Sequence, residues 1–379
     1  MLGIWSSWKL ARADYLFRKN TVDSLRAAIR LEPDAWKYYM RLALLDDAHA
    51  QQLLETAIKA DPYNAQADIE LGLRIEAAGD YPRAEKLLLD AFAVDRTFLP
   101  RWSLANFYFR RNNLPLFWTW ARSAAEMPSD STGPLFELCW HVSSDPKEIE
   151  AKVLNNNPEL IRQYLGFLLA KDQLPAATEV AERLTQVGDH DTDDPQIFSV
   201  IDRLIAAKDG DAAKALWNAL IEKHWIVADT GAPNNANFAR EPLPVRFDWA
   251  LSSSVGLHSW PGPSGLQTEF SGEQPESCTI AEQSIVLPPG NYEMVSSYRT
   301  EAIAPQTGLR WQIVSADPER VLAESSNLSS EALSYADAAF SVSPASSPIR
   351  LRLQYERTIG TPRISGTLVI PSVQIQARP

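Results

Sequence analysis

The first part of the chain places small and apolar residues at helical spacing. Between residues 65 and 96 they are Leu71, Gly72 and Ile75, followed by Ala84, Leu88 and Ala91. This spacing, interrupted by Gly79-Asp80, predicts two antiparallel helices joined by a short turn. Because a large side chain would separate the helices, we expect Gly72 and Ala84 to lie at their closest approach.

Neighbouring segments follow the same plan less strictly. One predicted unit holds Trp36, Ala50, Leu54, Ala57 and Pro62, and the next holds Leu104, Ala105, Tyr108 and Ala124. An upstream pair is predicted from Trp8, Ala11, Tyr15, Leu25, Ala28 and Pro33, and two more degenerate pairs are predicted at 165–181 and 201–223. Residues 132–157 are predicted to be helical without fitting the pattern. The chain therefore begins with an array of helix pairs.

These residues resemble the tetratricopeptide repeat. Its pattern asks for Leu-Gly, an apolar residue, two alanines separated by an apolar residue, and a closing proline. Leu71-Gly72 and the residues that follow match in order, and Arg96 stands where the proline is expected. The resemblance covers about residues 5–225 and is specific over 34–126. It implies a superhelix whose concave surface is lined by the first helix of each pair, in a protein that binds other proteins.

Carried over position by position, the resemblance implies a partner-binding groove. Its residues are Lys37, Arg41, Leu44, Gln66, Ile69, Leu73, Trp102, Asn106, Phe109 and Arg110. Trp102 and Phe109 are candidate anchors for a partner peptide, since aromatic residues contribute much of the binding energy at interfaces. The alternative is that each packs against the next helix.

The pattern changes in the last third of the chain. From Val245 onward, short runs alternate polar and apolar residues and are separated by Pro, Gly and Ser, as in Leu309, Trp311 and Ile313. Eight or more such runs predict an antiparallel β-sandwich or jelly roll. The fold class is thus a multidomain α + β protein, with helical repeats at 1–227, a turn-rich linker at 228–244 and the sandwich at 245–379.

The sandwich resembles the jelly roll of carbohydrate-binding modules. The parallels are the Pro-Gly-Asn-Tyr turn at 289–292, the Gly-Leu-Arg-Trp-Gln strand at 308–312, and Arg-Leu-Arg-Leu-Gln-Tyr at 350–355 followed by Gly-Thr-Leu-Val-Ile. If the apolar residues of these strands face the core, their polar neighbours face outward. The resemblance therefore implies a glycan-binding role for this domain.

Candidate glycan-binding residues follow from that alternation. One sheet face is expected to carry Arg299, Arg310, Gln312, Arg352 and Gln354. Their planar donors and acceptors suit sugar hydroxyls or a carboxylate. Trp260 is predicted to lie on a loop, where it could stack on a sugar ring or close one end of the sandwich. The alternative for the polar residues is a solvated outer face on which arginine replaces lysine.

Charge and composition narrow the classes of function. The formal net charge is −12, and both parts are acidic, with 27 basic and 35 acidic residues up to residue 244 and 9 and 13 after it. This balance argues against nucleic acid as a partner. No lysine follows Lys223. The apolar stretches are too short to span a bilayer.

The sequence offers no recognisable catalytic or metal-binding motif. The five histidines are scattered, the two cysteines are far apart, and there is no Gly-rich phosphate loop. The acidic run Asp189–Asp194 lacks the glycine and glutamate of a calcium loop, so we predict a helix–helix linker that also supplies an N-cap. No cofactor, metal or catalytic residue is therefore predicted.

The leading hypothesis is a non-enzymatic bacterial adaptor that binds a protein partner in the groove. A glycan on the sandwich and a role in cell-envelope or exopolysaccharide assembly come from resemblance alone. The alternatives are a purely structural interaction module and a glycan-active enzyme with a carboxylate pair on the sandwich.

The cellular location is open to two interpretations. The N-terminus is too short and too polar for a signal peptide, which favours the cytoplasm. Leu2-Gly3-Ile4-Trp5 with Trp8 and Lys9 resembles the outer end of a membrane anchor whose apolar part is missing. Together with the predicted sandwich, this favours the envelope.

Overall fold

The computed structural model describes residues 2–127, 132–229, 231–316, 318–343 and 348–378, without the side chains of residues 2–6 and 316. The described residues form fourteen α-helices followed by ten β-strands in two antiparallel sheets. The predicted fold class is therefore confirmed. By the density of its internal contacts the chain divides into two compact units, Met1–Gln163 and Tyr164–Pro379.

The first unit is built from consecutive helix pairs. Its helices are α1 (Leu2–Lys19), α2 (Val22–Leu31), α3 (Trp36–Ala43), α4 (Ala50–Ala60), α5 (Ala65–Ala77), α6 (Tyr81–Val94), α7 (Phe98–Arg110), α8 (Leu114–Ala125), α9 (Gly133–Val142) and α10 (Pro146–Ile149). Each odd-numbered helix up to α7 packs against the helix that follows it. A π-helical segment, Glu150–Leu154, then leads to α11 (Pro158–Ala170), which spans the division between the units. The segment outside the repeat pattern is thus helical, as predicted.

Local sequence explains where the paired helices begin and how close they come. The side-chain oxygens of Asn64, Asp80 and Asn113 accept hydrogen bonds from backbone N–H groups in the first turns of α5, α6 and α8. Gly79 has a φ of +91°, which glycine adopts without strain, at the turn between α5 and α6. A Cβ atom on Gly72 would lie 3.2 Å from Leu88 Cδ2, so this glycine permits the close approach of the two helices.

The second unit contains three further helices and the sandwich. The helices are α12 (Leu174–Val187), α13 (His190–Ala206) and α14 (Gly210–Glu222). The acidic run lies mostly inside α13 and is not a linker, which corrects the expectation from the sequence. Asp189 precedes this helix without a capping bond from its side chain; its own N–H instead donates to Asp193 Oδ2 at 2.8 Å.

Ten strands form two five-stranded sheets. They are β1 (Ala250–Leu251), β2 (Leu257–Gly262), β3 (Gly265–Ser271), β4 (Ser277–Ile285), β5 (Gly290–Glu301), β6 (Leu309–Ala316), β7 (Glu319–Glu324), β8 (Ser334–Val342), β9 (Ile349–Glu356) and β10 (Ser365–Ala377). Sheet A has the order β1-β4-β9-β6-β7, and sheet B has the order β2-β3-β10-β5-β8. Trp249, Trp311 and Tyr355 are buried in the core of the sandwich.

The turn-rich segment before the sandwich is folded onto it. Phe238 is fully buried in the sandwich core, where its ring lies 4.8 Å from that of Trp249. The buried Asn235 side chain donates to Arg240 O at 2.8 Å, and Trp249 Nε1 donates to Asn235 O at 3.2 Å. The backbone carbonyl of Ala236 accepts a bond from Val373 of β10. This segment therefore contributes to the core of the sandwich.

Helices α13 and α14 also contact the sandwich region directly. The Trp217 ring lies 5.7 Å from the Phe247 ring, and the N–H of Arg246 donates to Asp202 Oδ1 at 2.8 Å. Burial raises the pKa of Asp202, and the bond from Arg246 opposes that shift. The segment 228–244 marks the change from helices to strands, whereas the division at Gln163 marks a change in the density of contacts. The predicted domain boundaries stay a prediction.

Candidate functional site

A cleft in the first unit is lined mainly by the first helices of successive pairs. Its volume is about 230 Å³, and residues of α1, α3, α4 and α5 form its walls together with Leu44. The lining residues are Phe17, Trp36, Lys37, Met40, Arg41, Ala43, Leu44, Leu54, Gln66, Glu70 and Arg74. Apolar side chains thus meet three cationic ones in a single concave surface.

The cationic side chains of this cleft differ in their partners. Lys37 Nζ lies 5.6 Å from the centre of the Phe17 ring and 5.3 Å from that of Tyr38. Arg41 Nε donates to the neutral Asn20 Oδ1 at 2.6 Å. Arg74 is paired with the Asp47 carboxylate. Two of the three cations are therefore held in place without a carboxylate among the described residues.

Some of the predicted groove residues line this cleft, and others do not. Lys37, Arg41, Leu44 and Gln66 line it. Ile69 does not, because it is only 5% exposed, which corrects its assignment to an open groove. Helix α5 contacts α4, α6 and α7, and it meets the cleft along one strip formed by Gln66, Glu70 and Arg74.

Two of the residues on that strip, Glu70 and Arg74, were missed from the sequence. Gln66, Glu70 and Arg74 follow one another at intervals of four, so they share one face of α5. The predicted set followed the interval 66, 69 and 73 instead, and Leu73, although 39% exposed, does not line the cleft. The four-residue interval was the signal available in the sequence.

The candidates on α7 contact neighbouring residues and lie outside this cleft. Trp102 stacks on Phe98 with ring centres 6.0 Å apart, and its carbonyl accepts a bond from Asn106 Nδ2. Phe109 lies 6.1 Å from Phe117 of α8. Arg110 forms a bidentate pair with Glu76, at 2.8 and 2.6 Å. These contacts favour the packing interpretation over a role as open anchors.

The outer face of sheet A carries a network of ion pairs. Arg352 Nε lies 2.6 Å from Glu282 Oε2, and Arg350 and Arg352 both pair with Glu319. Arg310 pairs with Glu324 and Glu356, each at 3.0 Å. The Arg350 guanidinium, with Arg352 beside it, lowers the pKa of Glu319. The arginine side chains are only 17–20% exposed, so most of their surface is already covered.

The two predicted glutamines of this sheet are occupied as well. Gln312 Nε2 donates to Glu324 Oε1 at 2.6 Å. Gln354 accepts a bond from Thr279 and donates one to Ser277. Both glutamines are buried. The alternation predicts correctly that the apolar neighbours of these glutamines, such as Trp311 and Tyr355, lie in the core. The glutamines themselves are already hydrogen-bonded to residues of the adjacent strands.

Arg299 does not share that face, contrary to the expectation. It lies in β5 of sheet B, opposite Val369 of β10. Trp260 is also in sheet B, within β2 and not on a loop, and its ring stacks on His258 with centres 4.9 Å apart. The physical reason is that a strand's neighbours are set by its long-range pairing, which the local alternation does not encode.

Sheet B brings Trp260 and Arg299 into one cross-strand row. Trp260 is opposite Gln267, Gln267 is opposite Val369, and Val369 is opposite Arg299. The adjacent row consists of His258, Glu269, Thr367 and Glu301. His258, Glu269, Arg299 and Glu301 are exposed, whereas Leu266 and Leu368 on the opposite face are buried. We call this surface, Trp260 to Arg299 with its adjacent row, the sheet B face.

Two further properties concern metals and membranes. No group of three or more His, Cys, Asp or Glu side chains in the described part of the chain is arranged to hold a metal ion. None of the described helices combines the length and the apolar character that crossing a membrane requires. The side chains of Leu2 and Trp5, on which the anchor hypothesis depends, lie outside the described residues.

Comparison with known proteins gives structural neighbours for both parts. The C-terminal part of a TPR repeat-containing protein from Cytophaga hutchinsonii matches 56% of the chain with 94% of its own, at 17% identity and a TM-score of 0.32. YrrB, "a TPR protein with an unusual peptide-binding site", matches 54% of the chain with 93% of its own, at 14% identity and 0.26. A structure described as "CBM4 structure and function" matches 39% of the chain with all of its own, at 14% identity and 0.31.

No protein-family model and no curated protein matches the chain. The TM-scores of the structural neighbours are too low to carry an argument about function. The tetratricopeptide-like character of the helical part rests on its helix pairs and on the close approach at Gly72. The CBM4 structure covers the smallest share of the chain among these three, 39%.

Proposed function

We propose that this chain is a non-enzymatic protein-interaction adaptor whose helical repeats hold a segment of a partner protein. The cleft between α1, α3 and α5 carries the proposal. It combines apolar side chains with cationic ones on the surface that helix-pair arrays expose on their concave side. An apolar anchor and charged residues around it are the usual composition of a peptide-binding site.

Site-specific cross-linking tests this proposal in the cells that make the protein. A photoreactive benzoylphenylalanine replaces Leu44, which lines the cleft and is 56% exposed. The matched control replaces Leu89 of α6, which is 39% exposed and does not line the cleft. We expect a discrete cross-linked partner from position 44 alone. The same products from both positions, or none from position 44, would contradict the proposal.

A second candidate function is saccharide binding on the sheet B face. The observation that favours it is the row from Trp260 to Arg299, because an aromatic ring offers a stacking surface for a sugar. The side chains of Gln267, Glu269, Arg299 and Glu301 supply donors and acceptors for hydroxyl groups. The ion pairs of sheet A make that sheet the weaker choice.

Affinity gel electrophoresis of the full chain tests this second function. We expect a polysaccharide in the gel to retard the protein, and Trp260→Ala or Arg299→Ala to abolish the retardation. Tyr335→Ala removes an aromatic side chain of sheet B that is 68% exposed and lies outside the row, so it serves as the control. Absence of retardation by every polysaccharide would leave the structural alternative. Release of shortened saccharides would instead support the enzymatic one.

The proposal includes a place in the bacterial cell envelope, as an accessory to polysaccharide assembly. Its support is the candidate saccharide surface, since such polymers lie mainly outside the cytoplasm. Fractionation of cells with an antibody against the native chain tests it. Recovery with the periplasm or membranes is the expected result, and recovery with cytoplasmic markers alone would contradict it.

A further inference from the structure

The charges around the cleft restrict the kind of segment that fits it. Lys37 and Arg41 have no carboxylate partner among the described residues, and Arg74 shares its charge with Asp47. Glu70 is the single acidic residue that lines the cleft. In a chain with a formal net charge of −12, this cleft is a local surplus of positive charge. Such a surplus attracts carboxylates and disfavours basic segments.

The apolar lining residues, which we call the floor of the cleft, add a second requirement. Phe17, Trp36, Met40 and Leu54 present rings, a flexible thioether and methyl groups around a volume of about 230 Å³. Burial of an apolar side chain there is favourable, since it removes apolar surface of both partners from water. Met40 adapts its shape to different occupants. The floor therefore selects one large apolar side chain.

We propose, building on the function proposed above, that the cleft takes a partner segment in which one large apolar side chain is flanked by carboxylates. The apolar side chain occupies the floor, and the carboxylates pair with Lys37 and Arg41. Arg41 is already oriented by Asn20, so little side-chain freedom is lost when a carboxylate binds. Gln66, on the same face of α5 as Glu70 and Arg74, supplies a neutral donor to the cleft.

Selection from a library of randomised displayed peptides tests this inference on the full-length chain. We expect the selected sequences to combine Phe, Leu or Met with Asp or Glu within two positions. One selected peptide, synthesised with capped ends, is then the probe for titrations. Lys37→Glu with Arg41→Glu should weaken its binding by at least about tenfold, and high salt should weaken it as well.

The matched control is Lys86→Glu, which reverses the charge of an exposed lysine on α6 and should change the affinity less than about twofold. Far-UV circular dichroism confirms that each variant is folded. Selected peptides without acidic residues, or acidic peptides that bind the double variant as well as the wild type, would overturn this inference alone. Failure to select any peptide, together with no cross-link from position 44, would overturn the proposed function as well.

Discussion

Asp68 is a buried carboxyl group on α5, with 5% of its surface exposed. Burial raises its pKa from 3.8 to about 6, and the charge of Asp90 on α6 adds to that shift. In the unfolded chain the carboxyl group returns to its ordinary pKa. The protonated Asp68 carboxyl group therefore makes its full contribution to the free energy of unfolding below about pH 4, and this contribution is lost as the pH rises through about 6. Above that pH the folded chain bears the cost of a buried charge.

We predict that Asp68→Asn increases the free energy of unfolding at pH 7.5 by about 1–2 kcal/mol, because it removes the buried charge. The gain should disappear near pH 4, where the wild-type carboxyl group is protonated. Urea denaturation of both proteins across this range measures it. Asp90→Asn, which removes only the weaker cause of the shift, should give a smaller gain. A gain that is constant with pH would contradict the explanation.

Residue-level prediction from the sequence was good in the core and poorer at the cleft. Trp311 and Ile313 lie in the core as the alternation predicts, because alternation along a strand determines which face is buried. Glu70 and Arg74 were missed, since the residues of α5 that line the cleft are determined by where the neighbouring helices lie. Which residues of a helix line a cleft depends on the tertiary structure, and the local sequence does not encode it.

At the scale of elements, helices α5 and α6 show what the repeat pattern encodes. The pattern places small residues where the two helices of a pair come closest, and Gly72 of α5 faces Leu88 of α6 at this contact. The helix pairs were therefore predictable from the sequence. The assignment of strands to sheets was not, because β5 pairs with β8 and β10, which follow it by tens of residues.

We predict that Gly72→Leu lowers the free energy of unfolding by about 2–3 kcal/mol, since the added side chain forces α5 and α6 apart. Ala77→Leu is the control, because Ala77 lies on the same helix and is exposed. Chemical denaturation followed by far-UV circular dichroism measures both. Equal stabilities of the two variants would show that the helices tolerate separation at this position.

At the scale of the whole molecule, strands and helices within the second unit depend on each other. Phe238 lies before the first strand but is buried in the sandwich core, and Trp217 of α14 packs on Phe247. The change in composition near residue 228 gives the order of helices and strands correctly. It does not predict the packing of Phe238 and Trp217, because a change in composition along the chain carries no information on which residues are in contact.

We predict that a fragment of residues 158–379 folds cooperatively, whereas a fragment of residues 245–379 does not. The shorter fragment loses Phe238 and the Asn235 hydrogen bonds, and removal of a buried aromatic side chain alone costs about 3–5 kcal/mol. Near-UV circular dichroism during heating measures this, with the full chain as reference. A sharp transition of the shorter fragment at the same temperature as the longer one would contradict the prediction.

The absence of lysine after Lys223 has a practical consequence for handling this protein. All ten strands lack a side-chain amine, and their positive charges are guanidinium groups. Reagents that acylate amines will therefore modify the helical region and leave both sheets unlabelled. A chain immobilised through its lysines will keep the side chains of all ten strands chemically intact for measurements of weak ligands.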